Sequence, residues 1–321
     1  MHPTMLDFLR RMEAADKMES ARSYAKALRQ YSVWLESRSL DPLKVTAENL
    51  TAFQVHLSEY KKEDGEPLAP TTQRTRMAEV LGYYRFLERR GLIVGNPARK
   101  IRLSKMSIRS TPKDYLELQE ATALVQTQAK RILEHSEGSY LRAIENRNLV
   151  MVCIALATGR RSSSLCSLKT EWLDTRRNEL RIEREKGVVG RVLPVAGWAI
   201  DVSKMYLKES RPRLLVGRLD EDWLFPGNRN QHVAPVSFAA GLQRLFKQTV
   251  EENPDLEDLA EKRISPHCLR VSFATLLFTN GCNIRSVNEL MLHRKLSTTA
   301  RYTPIPLDDL RRVCRRAHPR A

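Results

Sequence analysis

Apolar residues in the first hundred positions recur every three or four residues, which is the spacing of one face of an α-helix. The clearest stripe runs over residues 24–35, and two more run over residues 50–60 and 77–87. Thr46 precedes the second stripe as a typical N-terminal cap, and a shorter helix is predicted over residues 4–15. We interpret the aromatic members of these stripes as helical core rather than as a base-stacking surface.

The pattern changes beyond Gly95-Asn96-Pro97, where this helical unit is expected to end. Helical spacing resumes over residues 114–136 and again over residues 140–158. Two short alternating runs then flank Lys186-Gly187, and this arrangement predicts a β-hairpin. Further helices are predicted after Trp198, after Pro235, after Pro266 and over residues 284–293.

Together these patterns predict a mainly α-helical protein with a small antiparallel β-sheet and two domains. The first domain is placed at residues 1–100, and a basic, serine-containing linker follows at residues 101–112. The second domain is placed at residues 113–306, and a basic tail occupies residues 307–321. Residues 216–230 are expected to be irregular, because they contain glycine and asparagine without a regular apolar period.

Charge adds a candidate partner to this picture. The chain has 54 Lys and Arg against 38 Asp and Glu, a net charge of +16, and both predicted domains are basic. A surface of this kind either binds a polyanion such as nucleic acid or only keeps the protein soluble, and charge alone leaves both open.

Cysteine usage and hydropathy indicate the compartment. The five cysteines form no CxxC pair and no metal-like spacing, which is typical of a reducing, cytoplasmic setting. The longest apolar run, residues 149–157, is too short to span a bilayer, and the N-terminus lacks the pattern of a secretory signal. We therefore expect a cytoplasmic protein with no membrane partner.

Candidate chemistry begins with His267 and Arg270, which lie one turn apart on the helix predicted after Pro266. An imidazole and a guanidinium on one face can hold a phosphate, although ordinary surface pairs have the same spacing. Gly159 is expected to end the preceding helix and to present Arg161 there, where a charged helix cap is the simpler alternative.

Three further residues fit the same chemistry. Lys186 lies at the tip of the predicted hairpin, where it is either a solvated turn residue or a cation brought to a leaving oxygen. His293 stands at a predicted helix end, where a capping role is the alternative. Tyr302 supplies a phenol, although most tyrosines only pack in a core.

Four segments stand in an informative order. They are 158–168 (TGRRSSSLCSL), 185–187 (EKG), 267–275 (HCLRVSFAT) and 291–302 (MLHRKLSTTARY). In order and spacing they resemble the tyrosine recombinase family of the phage integrase type, which is related to type IB topoisomerases. The resemblance covers most of residues 112–321, whereas residues 1–100 match only in helical character and size.

The resemblance implies that Arg161 and Arg270 hold the non-bridging oxygens of the scissile phosphate, joined by His267. Phosphoryl transfer concentrates negative charge on those oxygens, and fixed cations in a dry pocket stabilise it. The resemblance therefore implies a site-specific DNA recombinase that works without ATP. No cofactor is expected, because no acidic cluster or His/Cys set indicates a catalytic metal.

The resemblance also assigns the remaining roles. It implies that Lys186 protonates the leaving 5′ oxygen, that His293 hydrogen-bonds the phosphate and that Tyr302 is the nucleophile. A phenol with a pKa of about 10 needs a positive field or a nearby base to attack at neutral pH. The product would be a 3′-phosphotyrosine link, which conserves the bond energy for religation.

The family's architecture implies further partners. The first domain would be a helical core-binding domain that closes with the catalytic domain as a clamp around double-stranded DNA. The protein would act as a homotetramer on paired recombination sites, with accessory DNA-bending proteins or a second recombinase as further partners, in the cytoplasm at the nucleoid. The tail, residues 307–321, is either a disordered phosphate-binding segment or carries a short helix exchanged between subunits.

Three positions depart from the family's usual pattern. Ser164 stands where an acidic residue is usual, Val271 where a second histidine is frequent, and Leu292 where glycine is usual. None of these changes removes the nucleophile or a principal cation, so the resemblance implies an active enzyme.

Two alternatives remain open at this point, a catalytically inactive DNA-binding accessory factor and a topoisomerase-like relaxing enzyme. The DNA sequence that is recognised is not encoded in these motifs. In the first domain, the candidates for phosphate contact on or near polar helix faces are Arg22, Lys26, Arg74 and Arg76.

Overall fold

The computed structural model describes residues 1–15, 18–103, 114–185, 188–217, 222–227 and 231–292. The chain divides into two units, residues 1–108 and 109–321. Both units are mainly helical, and the second also contains a small antiparallel sheet, which confirms the predicted fold class. Within the described parts of the chain, no helix is long and apolar enough to cross a membrane.

Local capping residues set where the helices of the first unit begin. The Thr46 hydroxyl accepts from the Asn49 backbone, and the Asn49 side chain accepts from the Thr46 N–H at 3.0 Å, which forms a capping box. Pro70 occupies the first turn of a later helix, where its missing N–H costs nothing. The helices are α1 (Pro3–Ala14), α2 (Met18–Glu36), α3 (Ala47–Glu59) and α4 (Pro70–Arg89).

The apolar stripes of these helices meet in one core. Leu28 and Tyr31 of α2 and Tyr84 of α4 are fully buried. The Tyr31 and Tyr84 hydroxyls share a hydrogen bond of 2.8 Å, and Tyr84 donates to the carbonyl of Pro42 at 3.1 Å. The interpretation of the aromatic stripes as core is therefore confirmed. Tyr60 is the exception, because it follows the end of α3 and is 36% exposed.

The first unit extends beyond the glycine and proline at which it was predicted to end. A single 3₁₀ turn, Pro97–Lys100, follows, and Asn96 caps it by accepting from the Ala98 N–H at 2.9 Å. Ile101 and Leu103 then pack against the core of this unit. The first residues of the predicted linker therefore belong to the first unit, and residues 104–113 lie outside the described residues.

The second unit is built around one buried helix, α6, whose apolar stretch from Leu149 to Ala155 lies in the centre of the main core. The longest apolar run of the sequence, residues 149–157, is therefore part of the core of the second unit. The helices are α5 (Leu118–Leu133), α6 (Tyr140–Thr158), α7 (Ser162–Cys166), α8 (Gly197–Met205), α9 (Arg211–Leu214), α10 (Pro235–Glu252), α11 (Pro266–Thr279) and α12 (Ile284–Leu290).

The sheet consists of β1 (Leu173–Asp174), β2 (Glu179–Glu185) and β3 (Val188–Pro194), antiparallel and in that order. Leu180 pairs with Leu193, and both are buried on the inner face. The predicted hairpin is confirmed, whereas β1 was not predicted, because two residues are too few to show an alternating pattern. The tip, Lys186-Gly187, lies outside the described residues.

Candidate active site

The first element of the site is the corner that follows α6. Gly159 ends the helix with φ of +60°, a left-handed conformation that favours glycine. A Cβ atom at this position would lie 2.4 Å from the ring of Phe273, so the corner also needs glycine for space. Two residues later, Arg161 is extended and half-buried directly before α7, which confirms that Gly159 presents it beyond the helix end.

The second element is the start of α11. The Ser265 side chain caps the helix by accepting from the Cys268 N–H, and Pro266 opens the first turn. His267 and Arg270 therefore lie one turn apart, as the sequence predicts. They differ in burial, because His267 is exposed whereas Arg270 is only 1% exposed.

Hydrogen bonds of Arg270 join the two elements. Its Nη1 donates to the carbonyl of Gly159 at 2.5 Å, and its Nη2 donates to the carbonyl of Met291 at 2.7 Å. A guanidinium is planar, so two such bonds fix both its position and its plane. Because Gly159 is two residues from Arg161, this contact brings the two arginines that were predicted to hold the phosphate into one region.

A third arginine, Arg160, lies in the same region and is 1% exposed. Its Nη2 donates to the carbonyl of Leu290 at 2.6 Å, and its Nε and Nη2 lie 3.3 Å from the carbonyl of Thr158. Sequence reasoning did not single out Arg160, because nothing in the adjacent pair Arg160-Arg161 indicates which side chain is buried.

The end of α12 forms the third side of this region. The helix stops at Leu290, three residues earlier than predicted, and Leu292 has φ of +51°. A leucine rarely adopts this conformation, which costs about 1–2 kcal/mol. The position usually held by glycine in the family therefore has a glycine-like backbone here, while the Leu292 side chain is buried against the core.

The cysteine beside His267, Cys268, is buried. Burial raises the pKa of the Cys268 thiol to about 11, so the thiol is neutral at physiological pH. Among the residues that the structure describes, no three His, Cys, Asp or Glu side chains are grouped to hold a metal ion. The predicted Lys186, His293 and Tyr302 lie outside the described residues.

The predicted DNA-contact residues lie on α2 and α4 of the first unit. Lys26 and Arg76 belong to the walls of two adjoining depressions, and Arg76 donates to the Gln30 side chain. Arg22 is exposed one helical turn before Lys26, and Arg74 is exposed near the start of α4. Of the four residues, only Lys26 and Arg76 line these depressions.

The same surface contains groups that the sequence did not single out. Arg29 lines the second depression beside Lys26 and Arg76, and its i,i+3 spacing from Lys26 could have indicated it. The first depression is also lined by the threonines of the first turns of α4, Thr71, Thr72 and Thr75. We call the surface formed by Lys26, Arg29, Arg76 and these threonines the basic groove.

Comparison with known proteins decides the family. Residues 122–306, more than half of the chain, match the phage integrase family. The chain belongs to the phage integrase family.

Relatives of this integrase-family chain are tyrosine recombinases. XerC of Pelotomaculum thermopropionicum is 31% identical over 272 residues, which cover 84% of this chain and 81% of the relative. XerD of Mycobacterium tuberculosis is 31% identical over 306 residues, which cover 93% of this chain and 91% of the relative. The family resemblance carried by the four motifs is therefore confirmed.

Solved structures of integrase-family proteins share the fold. The XerH site-specific recombinase bound to palindromic difH substrate, a post-cleavage complex, aligns with a TM-score of 0.66 at 19% identity, over 94% of this chain and 80% of that one. A lambda integrase dimer bound to a COC′ core site aligns with a TM-score of 0.59 at 15% identity, over 93% of each chain.

The remaining departures from the family pattern have defined places in this integrase fold. Val271 is 2% exposed and packs with Phe273 and Ala274 in a small apolar cluster, so a histidine there would be buried. Ser164 lies half-buried in α7, one turn after Arg161. Neither departure displaces Arg270 or the Gly159 corner, which make the contacts described above.

Proposed function

We propose that this protein is a site-specific DNA recombinase that cuts and rejoins DNA through a 3′-phosphotyrosine intermediate, without ATP. The observation that carries the proposal is the bond from Arg270 to the carbonyl of Gly159, two residues before Arg161. A guanidinium fixed beside the corner that carries a second arginine suits the charge that develops on phosphate oxygens during transfer. Membership of the phage integrase family supports the same reaction class.

In the proposed reaction, Arg161 and Arg270 hold the non-bridging oxygens of the scissile phosphate. The planar fork of arginine suits this contact, and the carbonyls that bind Arg270 fix its fork before DNA arrives. His267 is exposed one turn from Arg270, where it can approach the same phosphate. It also helps to remove the proton of the attacking phenol.

The other roles in the proposal belong to residues placed by the family motifs. The Tyr302 oxygen attacks phosphorus and forms the bond to the 3′ phosphate, while the bond to the 5′ oxygen breaks. Lys186 gives its proton to that leaving oxygen, and His293 hydrogen-bonds the phosphate. Attack by the 5′ hydroxyl of a partner strand then releases the tyrosine, so the number of phosphodiester bonds is unchanged.

The proposal gives the first unit the role of the core-binding domain. Positive side chains and hydroxyls along the basic groove are of the kinds that contact DNA phosphates. Lys26, Arg29 and Arg76 are the phosphate contacts that we favour within this surface, with Arg22 and Arg74 at its margins. The second unit carries the chemistry.

The assembly is also a proposal. Two DNA sites are joined by four subunits, and residues 307–321 either bind phosphate or are exchanged with a neighbouring subunit. Accessory DNA-bending proteins or a second recombinase complete the complex, which acts in the cytoplasm at the nucleoid. The lambda integrase dimer bound to a COC′ core site supports assembly of more than one subunit on DNA.

The test needs the protein's own DNA site. Footprinting on fragments selected by binding defines the protected sequence, and a nick is then placed beside the scissile phosphate so that the released fragment diffuses away. We expect the wild-type protein to accumulate a covalent protein–DNA adduct on this substrate. Tyr302→Phe should bind the site and form no adduct.

Tyr140→Phe is a matched control, because Tyr140 is a 47% exposed tyrosine at the start of α6. It should form the adduct at the wild-type rate. An adduct that persists in Tyr302→Phe would show that another residue is the nucleophile. Site binding by the wild type with no adduct would indicate an inactive accessory factor, and relaxation of supercoiled DNA that lacks the site would indicate a topoisomerase.

A further inference from the structure

The end of α12 has an unusual cap. The last carbonyls of a helix have no partner within the helix, and a following glycine or water usually satisfies them. Here the carbonyls of Leu290 and Met291 accept from two buried guanidiniums, those of Arg160 and Arg270, at 2.6 and 2.7 Å. The helix end is therefore held by side chains that come from α11 and from the corner after α6.

Burial of Arg160 has an energetic cost that ordinary packing would avoid. A guanidinium taken out of water loses favourable hydration unless hydrogen bonds replace it. The carbonyls of Leu290 and Thr158 supply part of that replacement. A leucine or methionine would fill the same space without this cost, but neither could donate to the carbonyl of Leu290 at the end of α12.

Arg160 has a second property, which is its place in the chain. It immediately precedes Arg161, one of the proposed phosphate ligands, in the chain. Its side chain donates to the carbonyl of Leu290, which is three residues before His293 and twelve before Tyr302. One side chain thus connects the segment that presents a phosphate ligand with the segment that leads to the proposed nucleophile. The last turn of α12 is the point from which that second segment departs.

We propose that Arg160 is a positioning residue for the strand-transfer reaction, which fixes the end of α12, and so the start of the segment that carries His293 and Tyr302, against the Arg161 corner. The inference rests on the proposed function. Arg270 makes the parallel bond to Met291 but is itself a proposed phosphate ligand. We assign Arg160 no contact with the phosphate, because its bonds to the carbonyls of Thr158 and Leu290 act on the backbone.

Two substitutions separate this role from simple packing. Arg160→Leu keeps apolar volume and removes the bond to α12, whereas Arg160→Lys keeps the charge but loses the planar fork. Arg211→Leu is the control, because Arg211 is another part-buried arginine that donates to a backbone carbonyl, that of Trp223, at 2.9 and 3.1 Å. Its loss should affect stability without acting on α12.

The first measurement is independent of activity. Hydrogen exchange of the free full-length protein reports on α12, where the amides of Met291 and Leu292 donate to the carbonyls of Val287 and Glu289 at 3.0 Å. Arg160→Leu should speed exchange of these two amides by about 10-fold, because a charge-assisted cap is lost. Arg160→Lys should fall between, and Arg211→Leu should leave them unchanged.

The second measurement is the rate of adduct formation at saturating DNA on the nicked substrate, together with the Kd for the site. Arg160→Leu should lower the rate by about 10- to 100-fold, the range expected for a displaced reacting group, with Kd within about twofold of wild type. Arg160→Lys should recover part of the rate. If Arg160 had only a packing role, its loss would lower the stability of the protein but would not lower the adduct rate while leaving Kd unchanged.

Each outcome decides the inference. Wild-type exchange in α12, or a wild-type adduct rate in Arg160→Leu, overturns it. If Arg160→Leu does not fold, the same two measurements on Arg160→Lys decide, and unchanged values there overturn it. If the wild-type protein forms no adduct on its verified site, the proposed function fails, and the exchange result alone shows whether Arg160 fixes α12.

Discussion

The glycine at the corner of the candidate active site gives the sharpest test of the structure. Gly159 has φ of +60°, and a Cβ placed on it would meet Cδ1 of Phe273 at 2.4 Å. Its carbonyl accepts from Arg270, and Arg161 follows two residues later. Gly159→Ala therefore adds one methyl group at the point where the predicted phosphate ligands come together.

Two costs add in this substitution. An L-residue in the left-handed region costs about 1–2 kcal/mol. Carbon atoms prefer a separation of about 3.5–4.0 Å, so the Phe273 ring or the corner must move by about 1 Å. Phe273 is 8% exposed and packed among Val271, Ala274 and Met291, and overpacking of such a site costs about 1–3 kcal/mol. The expected loss in free energy of unfolding is about 2–5 kcal/mol.

Urea unfolding followed by tryptophan fluorescence measures this loss. Three of the four tryptophans lie in residues 109–321, and Trp34→Phe in the background removes the signal of the first unit. Gly281→Ala is the matched control. Gly281 also has a positive φ, +89°, but a Cβ there would have no atom within 4 Å. It should therefore lose only the backbone cost of about 1–2 kcal/mol.

Equal losses in Gly159→Ala and Gly281→Ala would refute the close approach of Phe273 to the corner. Phe273→Leu offers a second check, since a smaller side chain should make room for the added methyl group. In a double-mutant cycle, the cost of Gly159→Ala should fall by about 1 kcal/mol or more in the Phe273→Leu background. If the losses in free energy of unfolding of the two substitutions simply add, the close approach of Phe273 to the corner is also refuted.

Three further predictions use other parts of the protein. Leu292→Gly should destabilise the protein by about 1 kcal/mol less than Leu292→Ala, because only glycine relieves the φ of +51°; urea midpoints that rank alanine first would contradict this. Burial raises the pKa of Glu79, so its contribution to stability is present at low pH and lost as pH rises through the folded pKa. Glu79→Gln should therefore gain in melting temperature relative to wild type as the pH rises above about 4.5, whereas a constant difference would refute the shift. Arg29→Ala should lower the magnitude of the slope of log K against log salt for DNA binding by about 0.9, because one phosphate contact is lost. Arg11→Ala is the control, since Arg11 is 51% exposed and paired with Asp7, and it should leave the slope unchanged.

Much of the fold follows from local patterns. The bounds of α6, Tyr140–Thr158, agree with the helix predicted over residues 140–158. Helices also begin where an end group is satisfied or removed, as at Thr46, Pro70 and Pro266. The β-hairpin follows from alternation on both sides of a Lys-Gly pair. The short strand β1, by contrast, depends on pairing with β2, and two residues carry no period of their own.

For the candidate site, the sequence by itself determined the residue types and their order, because Arg161, His267 and Arg270 stand at spacings that local helix geometry converts into defined faces. Only the tertiary structure decided which of these side chains is buried and what fixes it. Adjacent Arg160 and Arg161 look alike in the sequence, yet Arg160 is buried against the end of α12, and Leu290 is 130 positions away along the chain. Burial and hydrogen bonding depend on contacts between distant segments, and those contacts exist only once the helices have packed.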